Sequence, residues 1–175
     1  MGRDCDPRQQ CGNPPKRENP DARWFAQTSF DEWARVIDVN LNEPFILTSL
    51  LAPAMIARGH GRIIHIGSKA GRAMPLIAGP HYAASKAGLV GSTRAAARDL
   101  APHGITVNCI APGRILSDMT GPPEGAVNRA ALRRIPVGRF GTADEVADVV
   151  AFLASPSAGF VTGATIDMTG GEFAA

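Results

Sequence analysis

The chain of 175 residues is long enough for one domain with a substantial core, and its composition, 45% hydrophobic and 19% charged, is ordinary for a globular protein. A formal net charge of +2 offers no broad basic surface, so no nucleic-acid partner is expected. No apolar run approaches the ~20 residues that span a bilayer, the start lacks the apolar core of a secretory signal, and three cysteines make no disulfide framework, so a cytoplasmic protein without a membrane partner is expected.

The N-terminal segment differs in composition from the remainder. Residues 1–23 contain no Val, Ile, Leu, Phe or Trp, so they cannot bury enough apolar surface to offset the entropy lost on ordering. We predict a disordered or non-native tail over residues 1–23 and a folded domain over residues 24–175. Cys5 and Cys11 could instead bind a metal. Their spacing, with no nearby His and no second pair, is poor for zinc, and no metal site is predicted.

From Ser29 onward the pattern is that of regular structure. Ser29 and Glu32 match a capping box, and the apolar residues after them recur at helical spacing until Gly59. Thr142 and Glu145 match a second capping box. In chain order the predicted elements are a helix over 30–57, a strand over 62–67, a helix over 81–100, a strand over 105–112, a loop with one short helix over 113–140, a helix to about 154 and a strand near 164–168.

Short apolar strands that alternate with helices indicate an α/β fold with a parallel sheet covered on both faces. In such sheets ligands bind beyond the carboxyl ends of the strands. Ser68 follows the first predicted strand, and Pro112 and Gly113 end the second. We therefore expect the functional site near these residues.

The clearest candidate for chemistry is Tyr82, the one tyrosine of the chain, which Lys86 follows in the sequence YAASK. Residues i and i+4 share a helix face. An ammonium close to the phenol would lower the tyrosine pKa from about 10 toward neutrality, which would make Tyr82 a usable general acid or base. For the pair alone, a solvated surface contact is the alternative.

Three weaker features accompany this pair. Ser68 could hydrogen-bond a substrate carbonyl or only complete a turn. Asn40 lies on the apolar face of the first helix, and Pro44 has no N–H to donate to its carbonyl, which fits either a helix that holds a water or a merely kinked core helix. Backbone N–H groups near Gly113, with Ser117 shortly after, could meet a planar amide or a phosphate.

These features recur together in one known family. GS at 67–68, YAASK at 82–86, NCIAPG at 108–113 and TGATIDMTGG at 162–171 closely resemble the motifs of the short-chain dehydrogenase/reductase family, and VNLNEPF at 39–45 resembles its helix with the catalytic Asn. The most similar subgroup is the 3-oxoacyl-(acyl-carrier-protein) reductase type. The resemblance covers about residues 24–173 and implies the C-terminal part of a doubly wound parallel-sheet Rossmann fold.

The resemblance also implies an activity: reduction of a small-molecule ketone of the 3-oxoacyl type, or oxidation of a secondary alcohol, with NAD or NADP. Tyr82 would be the general acid or base, Lys86 would lower its pKa and bind the nicotinamide ribose, and Ser68 would orient the substrate carbonyl. Asn40 would hold a proton-relay water through its main chain. The implied cofactor-binding residues are Tyr82, Lys86, Pro112, Gly113, Ile115 and Ser117, the implied substrate lid is 114–138, and the implied assembly is a homo-oligomer, tetrameric or dimeric.

Two family motifs are missing from this sequence. They are the Gly-rich turn T-G-x-x-x-G-x-G, which seats the cofactor pyrophosphate at a helix N-terminus, and the strand end N-N-A-G. The chain is therefore predicted to be N-terminally truncated and to lack the first βαβ units. One codon choice for residues 6–13, read one nucleotide later, encodes I-L-V-N-N-A-G, so we hypothesise a frameshift between the tail and Trp24, with Met1 inside a longer gene.

The missing motifs leave two functional hypotheses. The first is an NAD(P)-dependent oxidoreductase. The second is an inactive fragment that at most associates with intact relatives through its retained helices. Under either hypothesis we expect weak binding of nicotinamide cofactors, and aggregation through an uncovered strand edge and apolar face.

Overall fold

In the computed structural model residues 24–75 and 77–174 are described, so the predictions for residues 1–23, including those for Cys5 and Cys11, lie outside the described residues. Apart from α1, which the sequence did not predict, and the predicted helix over 30–57, the described helices and strands follow the predicted order with ends that differ by about one residue. The helices are α1 Trp24–Gln27, α2 Phe30–Ile37, α3 Glu43–Arg58, α4 Pro80–Leu100, α5 Ala126–Leu132 and α6 Ala143–Ala154, and the strands are β1 Gly61–Ile66, β2 Ile105–Pro112 and β3 Thr165–Met168.

The three described strands form one parallel sheet in the order β1-β2-β3. β2 lies in the middle, and all its residues from Ile105 to Ala111 are buried. A strand covered on both faces is expected to be apolar along most of its length, which ITVNCIAP is. The predicted α/β fold with a parallel sheet is confirmed.

Helices cover both faces of β2. On one face Val107 packs with Ala52 of α3 and Ala97 of α4. On the other face Ile110 packs with Leu153 of α6. Because side chains alternate between the two faces of a strand, positions 107 and 110 face opposite sides.

The prediction of one continuous helix over 30–57 is wrong. A π-helical turn, Asp38–Asn42, separates α2 from α3, and the N–H of Glu43 bonds to the carbonyl five residues earlier. Pro44 has no N–H and cannot continue the α-helical ladder at this point, which accounts for the irregular register. Asn40 is buried within this turn.

The predicted helix starts are confirmed by their caps. The Ser29 hydroxyl accepts from the N–H of Glu32 at 3.1 Å. The Thr142 hydroxyl accepts from the N–H of Glu145 at 3.2 Å, and the Glu145 carboxylate accepts from the N–H of Thr142 at 2.9 Å. Each cap satisfies amides that have no acceptor within the helix.

The segment between β2 and α6 folds around one buried amide. The Asn128 side chain donates to the carbonyls of Thr120 at 3.1 Å and Pro122 at 2.7 Å. Its oxygen accepts from Nε of Arg114 at 2.8 Å. The predicted short helix is α5, which carries Asn128, and these bonds tie it to the chain that leaves β2.

The β1 side of the sheet is open in the described part of the chain. There β1 pairs with β2 alone, and Ile66 at its end is 45% exposed. Such an edge presents unpaired backbone groups. The exposed side chains of the neighbouring helix α3 are largely apolar; more than half exposed are Phe45, Leu47, Leu50 and Leu51. None of the described helices is long and apolar enough to cross a membrane.

Candidate active site

Ser68 and Tyr82 lie together at the carboxyl end of β1. Ser68 caps a short 3-10 turn, where its hydroxyl accepts from the N–H of Ala70 at 3.1 Å. Tyr82 lies in the first turn of α4. Burial raises the pKa of the Tyr82 phenol above its ordinary value, and the hydrogen bond from Ser68 acts in the opposite direction. The neutral phenol is therefore the resting form.

The expectation that Lys86 lowers the tyrosine pKa toward neutrality is wrong for this structure. The Lys86 ammonium donates to the carbonyl of Ile66 at 2.9 Å and lies 5.7 Å from the centre of the Tyr82 ring. The bond to Ile66 holds the ammonium at the end of β1. Burial lowers the pKa of Lys86 itself.

Asn40 reaches the site through a neighbouring serine. Its side-chain amide donates to the Ser85 hydroxyl at 3.2 Å. The Ser85 hydroxyl in turn donates to the Tyr82 carbonyl at 2.8 Å. Asn40, Ser85 and Tyr82 are thus joined by consecutive hydrogen bonds.

A buried histidine beside Tyr82 was missed by the sequence reasoning. His81 is 1% exposed; its Nε2 lies 3.1 Å from the Glu32 carboxylate, and its Nδ1 accepts from the N–H of Tyr82 at 2.7 Å. His81 and Glu32 lie 49 positions apart in the sequence. Only the position of His81 directly before Tyr82 was a signal in the sequence.

A second buried histidine, His65, lies on β1. Its ring contacts the hydroxyls of Thr93 at 2.9 Å and Thr48 at 3.3 Å, which links α4 and α3. Burial lowers the pKa of His65, and the positive charge of Lys86 adds to the effect. The imidazole is therefore neutral, and it lies on the β1 side of the site.

The end of β2 provides the second group of predicted residues. Gly113 lies so close to Thr169 that a Cβ at position 113 would be 3.0 Å from its Cα. Pro112 and Ile115 are partly buried, and Ser117 is exposed at the start of a 3-10 turn. This close approach explains why position 113 is a glycine.

Two cavities lie near these groups. The smaller, about 330 Å³, is lined by Asn40, His65 and Lys86 and follows the open side of β1. The larger, about 450 Å³, lies beyond β3 and includes Ile115 and Thr169. Asn40 and Lys86 line the smaller cavity and Ile115 lines the larger, while neither lining includes Ser68 or Tyr82. Ser68 and Lys86 both lie beside Tyr82. No cluster of His, Cys, Asp and Glu that could hold a metal ion is found in residues 24–75 and 77–174.

Known proteins resemble this chain over most of its length. A family model described as enoyl-(acyl carrier protein) reductase matches residues 17–172. The 3-oxoacyl-(acyl-carrier-protein) reductase FabG of Pseudomonas aeruginosa is 48% identical over 143 residues, 82% of this chain and 58% of the relative. The human (3R)-3-hydroxyacyl-CoA dehydrogenase is 43% identical over 146 residues, 83% of this chain and 56% of the relative.

Solved structures show the same similarity. A 3-oxoacyl-(acyl-carrier-protein) reductase of Brucella melitensis superposes with a TM-score of 0.88 at 38% identity, over 95% of this chain and 62% of that one. A second such reductase from Brucella melitensis, crystallised with bound NAD, has a TM-score of 0.85 at 40% identity and is matched over 61% of its length.

The matched family model and the similar solved structures define part of a Rossmann fold. The chain belongs to the short-chain dehydrogenase/reductase family, as the sequence motifs predicted. It spans less than two thirds of the length of the curated relatives it matches.

Proposed function

We propose that this chain carries the proton-transfer half of an NAD(P)-dependent oxidoreductase that interconverts a ketone and a secondary alcohol. The observation that carries the proposal is Tyr82 in the first turn of α4, beside Ser68 at the carboxyl end of β1 and with Lys86 one helical turn away. A partly buried phenol beside a serine hydroxyl is suited to give a proton to a carbonyl oxygen.

The fit to a nicotinamide cofactor differs between its two ends. Near Tyr82 the chain offers Lys86, the close-packed turn at Pro112 and Gly113, Ile115, and the exposed hydroxyl of Ser117. A pyrophosphate needs a glycine turn that leads from a strand into a helix N-terminus. In the described residues β1 is followed by only a 3-10 turn, Lys69–Gly71. The described residues fit the nicotinamide and ribose, and not the pyrophosphate.

The roles of the side chains follow from their surroundings. When bound, NADH or NADPH supplies the hydride to the substrate carbon. Tyr82 donates its proton to the carbonyl oxygen, and the Ser68 hydroxyl orients that oxygen and stabilises the phenolate that remains. Lys86 contributes positive charge at the end of β1 and hydroxyl recognition of the ribose. Asn40, in its buried turn, would hold a proton-relay water through its main chain.

For the substrate we propose a 3-oxoacyl or 3-hydroxyacyl compound. The support is the printed function of the relatives, a 3-oxoacyl-(acyl-carrier-protein) reductase and a (3R)-3-hydroxyacyl-CoA dehydrogenase. The proposed cofactor is NAD or NADP. The NAD bound to the Brucella melitensis reductase does not decide between the two for this chain. The apolar exposed face of α3 supports a homo-oligomer as the working form.

The second candidate function is association without catalysis. The open edge of β1 and the exposed apolar side chains of α3 favour it, because both are surfaces that another polypeptide would cover. Such a chain would join oligomers of intact family members and would contribute no turnover of its own. Copurification with an intact relative, without reductase activity in the isolated chain, would support this candidate.

The test is turnover of a 3-oxoacyl thioester, such as acetoacetyl-CoA, with NADH and with NADPH at millimolar concentration. Disappearance of the reduced nicotinamide absorbance is expected for the chain as it stands. Tyr82→Phe, which keeps the ring and removes the proton, should lose about 10²- to 10⁴-fold in rate. Calorimetry with both cofactors should give binding weaker than micromolar. No turnover with either cofactor would contradict the enzymatic proposal.

A further inference from the structure

The main chain of Tyr82 is held by side chains on both sides. Its N–H donates to Nδ1 of His81 at 2.7 Å, and its carbonyl accepts from the Ser85 hydroxyl at 2.8 Å. His81 and Ser85 are 1% and 0% exposed. Two buried side chains of α4 therefore restrain the main chain of the residue that carries the proposed proton donor.

The first restraint continues to α2. Because Nδ1 of His81 accepts from Tyr82, it carries no proton, so Nε2 carries the proton and donates to the Glu32 carboxylate, 3.1 Å away. A Cβ added at Gly79 would lie 2.6 Å from the ring, so a larger residue at position 79 would force the imidazole to shift. Glu32, His81 and the Tyr82 amide form one chain of hydrogen bonds.

The second restraint continues to the π-helical turn. The side-chain amide of Asn40 donates to the Ser85 hydroxyl at 3.2 Å, and that hydroxyl donates onward to Tyr82. The hydroxyl thus accepts one hydrogen bond and gives one. Both restraints end in the segment that comprises α2 and the turn after it. One of them holds the N–H of Tyr82, and the other holds its carbonyl.

The start of α4 explains why such restraints matter. The first amides of a helix have no acceptor within it. Gly79, at the N-cap, has no side chain to accept from them, and no side-chain cap bond is made there. Pro80 has no N–H. The Tyr82 amide therefore depends on the His81 ring, and a catalytic group must be held within about 0.5 Å of its working position.

We propose that Glu32, His81 and Ser85 are positioning residues that fix the main chain of Tyr82 through two hydrogen-bonded relays anchored in α2 and the π-helical turn. The consequence for catalysis rests on the proposed function. The coupling itself is a property of the fold and can be measured without cofactor or substrate.

The experiment is amide hydrogen exchange of the full chain by NMR at neutral pH. In Glu32→Ala the Tyr82 amide should exchange about fivefold faster, because the imidazole loses its anchor. In Glu32→Gln, whose amide oxygen still accepts from Nε2, exchange should stay close to that of the unmodified chain. Amides in the last turns of α4 should be unchanged in both variants. Ser85→Ala should also speed exchange at Tyr82.

A second readout uses the unmodified chain and needs no variant to fold. The imidazole ¹⁵N spectrum should show His81 with a proton on Nε2 and none on Nδ1. Protonation of Nδ1, Tyr82 exchange unchanged in Glu32→Ala, or equal exchange in Glu32→Ala and Glu32→Gln would each overturn the proposal. Absence of turnover with intact relays would count against the proposed function alone. In a chain that turns over, Glu32→Ala should lower kcat and leave KM nearly unchanged.

Discussion

α3 and α4 lie side by side on the same face of the sheet, yet they are buried to different degrees. In α3 only Ala52 is buried, although the helix is apolar along most of its length. In α4, which is rich in Ala, Gly and Ser, a full stripe is buried, and it consists of His81, Ser85, Leu89, Val90, Thr93, Ala97 and Leu100.

This difference in burial shows that the apolar residues of α3 and α4 have different surroundings. The buried stripe of α4 fixes the helix that carries Tyr82 and Lys86 against β2. The exposed side chains of α3 lie beside the open edge of β1, where they are available to another polypeptide. The candidate chemistry is therefore built on the well-packed helix, and the exposed apolar surface is concentrated on the other.

Stability provides the largest test of this contrast. Leu89→Ala in α4, at a side chain 2% exposed, should lower the free energy of unfolding by about 2–5 kcal/mol, because it removes buried contacts and leaves a cavity. Leu50→Ala in α3, at a side chain 70% exposed, should change it by less than about 0.5 kcal/mol. Urea unfolding of both variants measures the difference. Equal losses would show that α3 is as well packed as α4.

The pH dependence of turnover tests the buried environment of Tyr82 on α4. Burial raises its pKa above the ordinary value of 10.0, so the protonated phenol persists through neutral pH. Ketone reduction, which needs the acid form, should be constant across neutral pH and fall only in strong alkali. Alcohol oxidation, which needs the phenolate, should rise with pH. A reduction rate that declines near neutral pH would show that the bound cofactor or Lys86 affects the pKa of Tyr82 more strongly than burial does.

Solubility tests the exposed face of α3. Replacing Leu50 and Leu51 together by Lys should reduce aggregation, because it interrupts the apolar surface without removing buried contacts. Light scattering at matched concentration is the measurement. The matched control is Arg94→Lys, an exposed cation on α4. If the double substitution unfolds the chain instead, these leucines pack more tightly than their exposure indicates.

The smallest expected effect concerns the exposed start of α6. The Arg139 guanidinium and the N–H of Thr142 lower the pKa of Glu145 from 4.5 to about 2. A lowered carboxyl pKa adds stability above 4.5 that is lost as pH falls toward 2. Glu145→Gln should therefore flatten the stability profile slightly over that window. An unchanged profile would show that this solvent-exposed pair is screened.

Local sequence signals predicted much of the fold and part of the site. The strands were found from apolar runs, the starts of α2 and α6 from their capping residues, and Ser68, Tyr82 and Lys86 from spacing and family motifs. These features depend on residues close together in sequence. Pro44 pointed to an irregular helix at Asn40 but could not specify a π-helical turn.

Long-range contacts and burial could not be predicted in this way. Glu32 and His81 come into contact only after α2 and α4 pack together. Asn128 accepts its hydrogen bond from Arg114 only when its segment folds back on that residue. The direction of the Tyr82 pKa shift was predicted wrongly, because spacing indicated a nearby ammonium but not its bond to Ile66 or the desolvation of the phenol. The tail, its frameshift hypothesis, the domain boundary and the roles of the site residues stay predictions.

Spectrophotometric titration of tyrosinate tests the central claim most directly, since Tyr82 is the one tyrosine in the chain. In the chain without cofactor we predict a midpoint above the ordinary value of 10.0, raised further in Ser68→Ala, where the phenolate loses its hydrogen-bond donor. Ser117→Ala, at an exposed hydroxyl after β2, is the matched control and should leave the midpoint unchanged. A midpoint below 10.0, or one that does not move in Ser68→Ala, would contradict the site described for this protein.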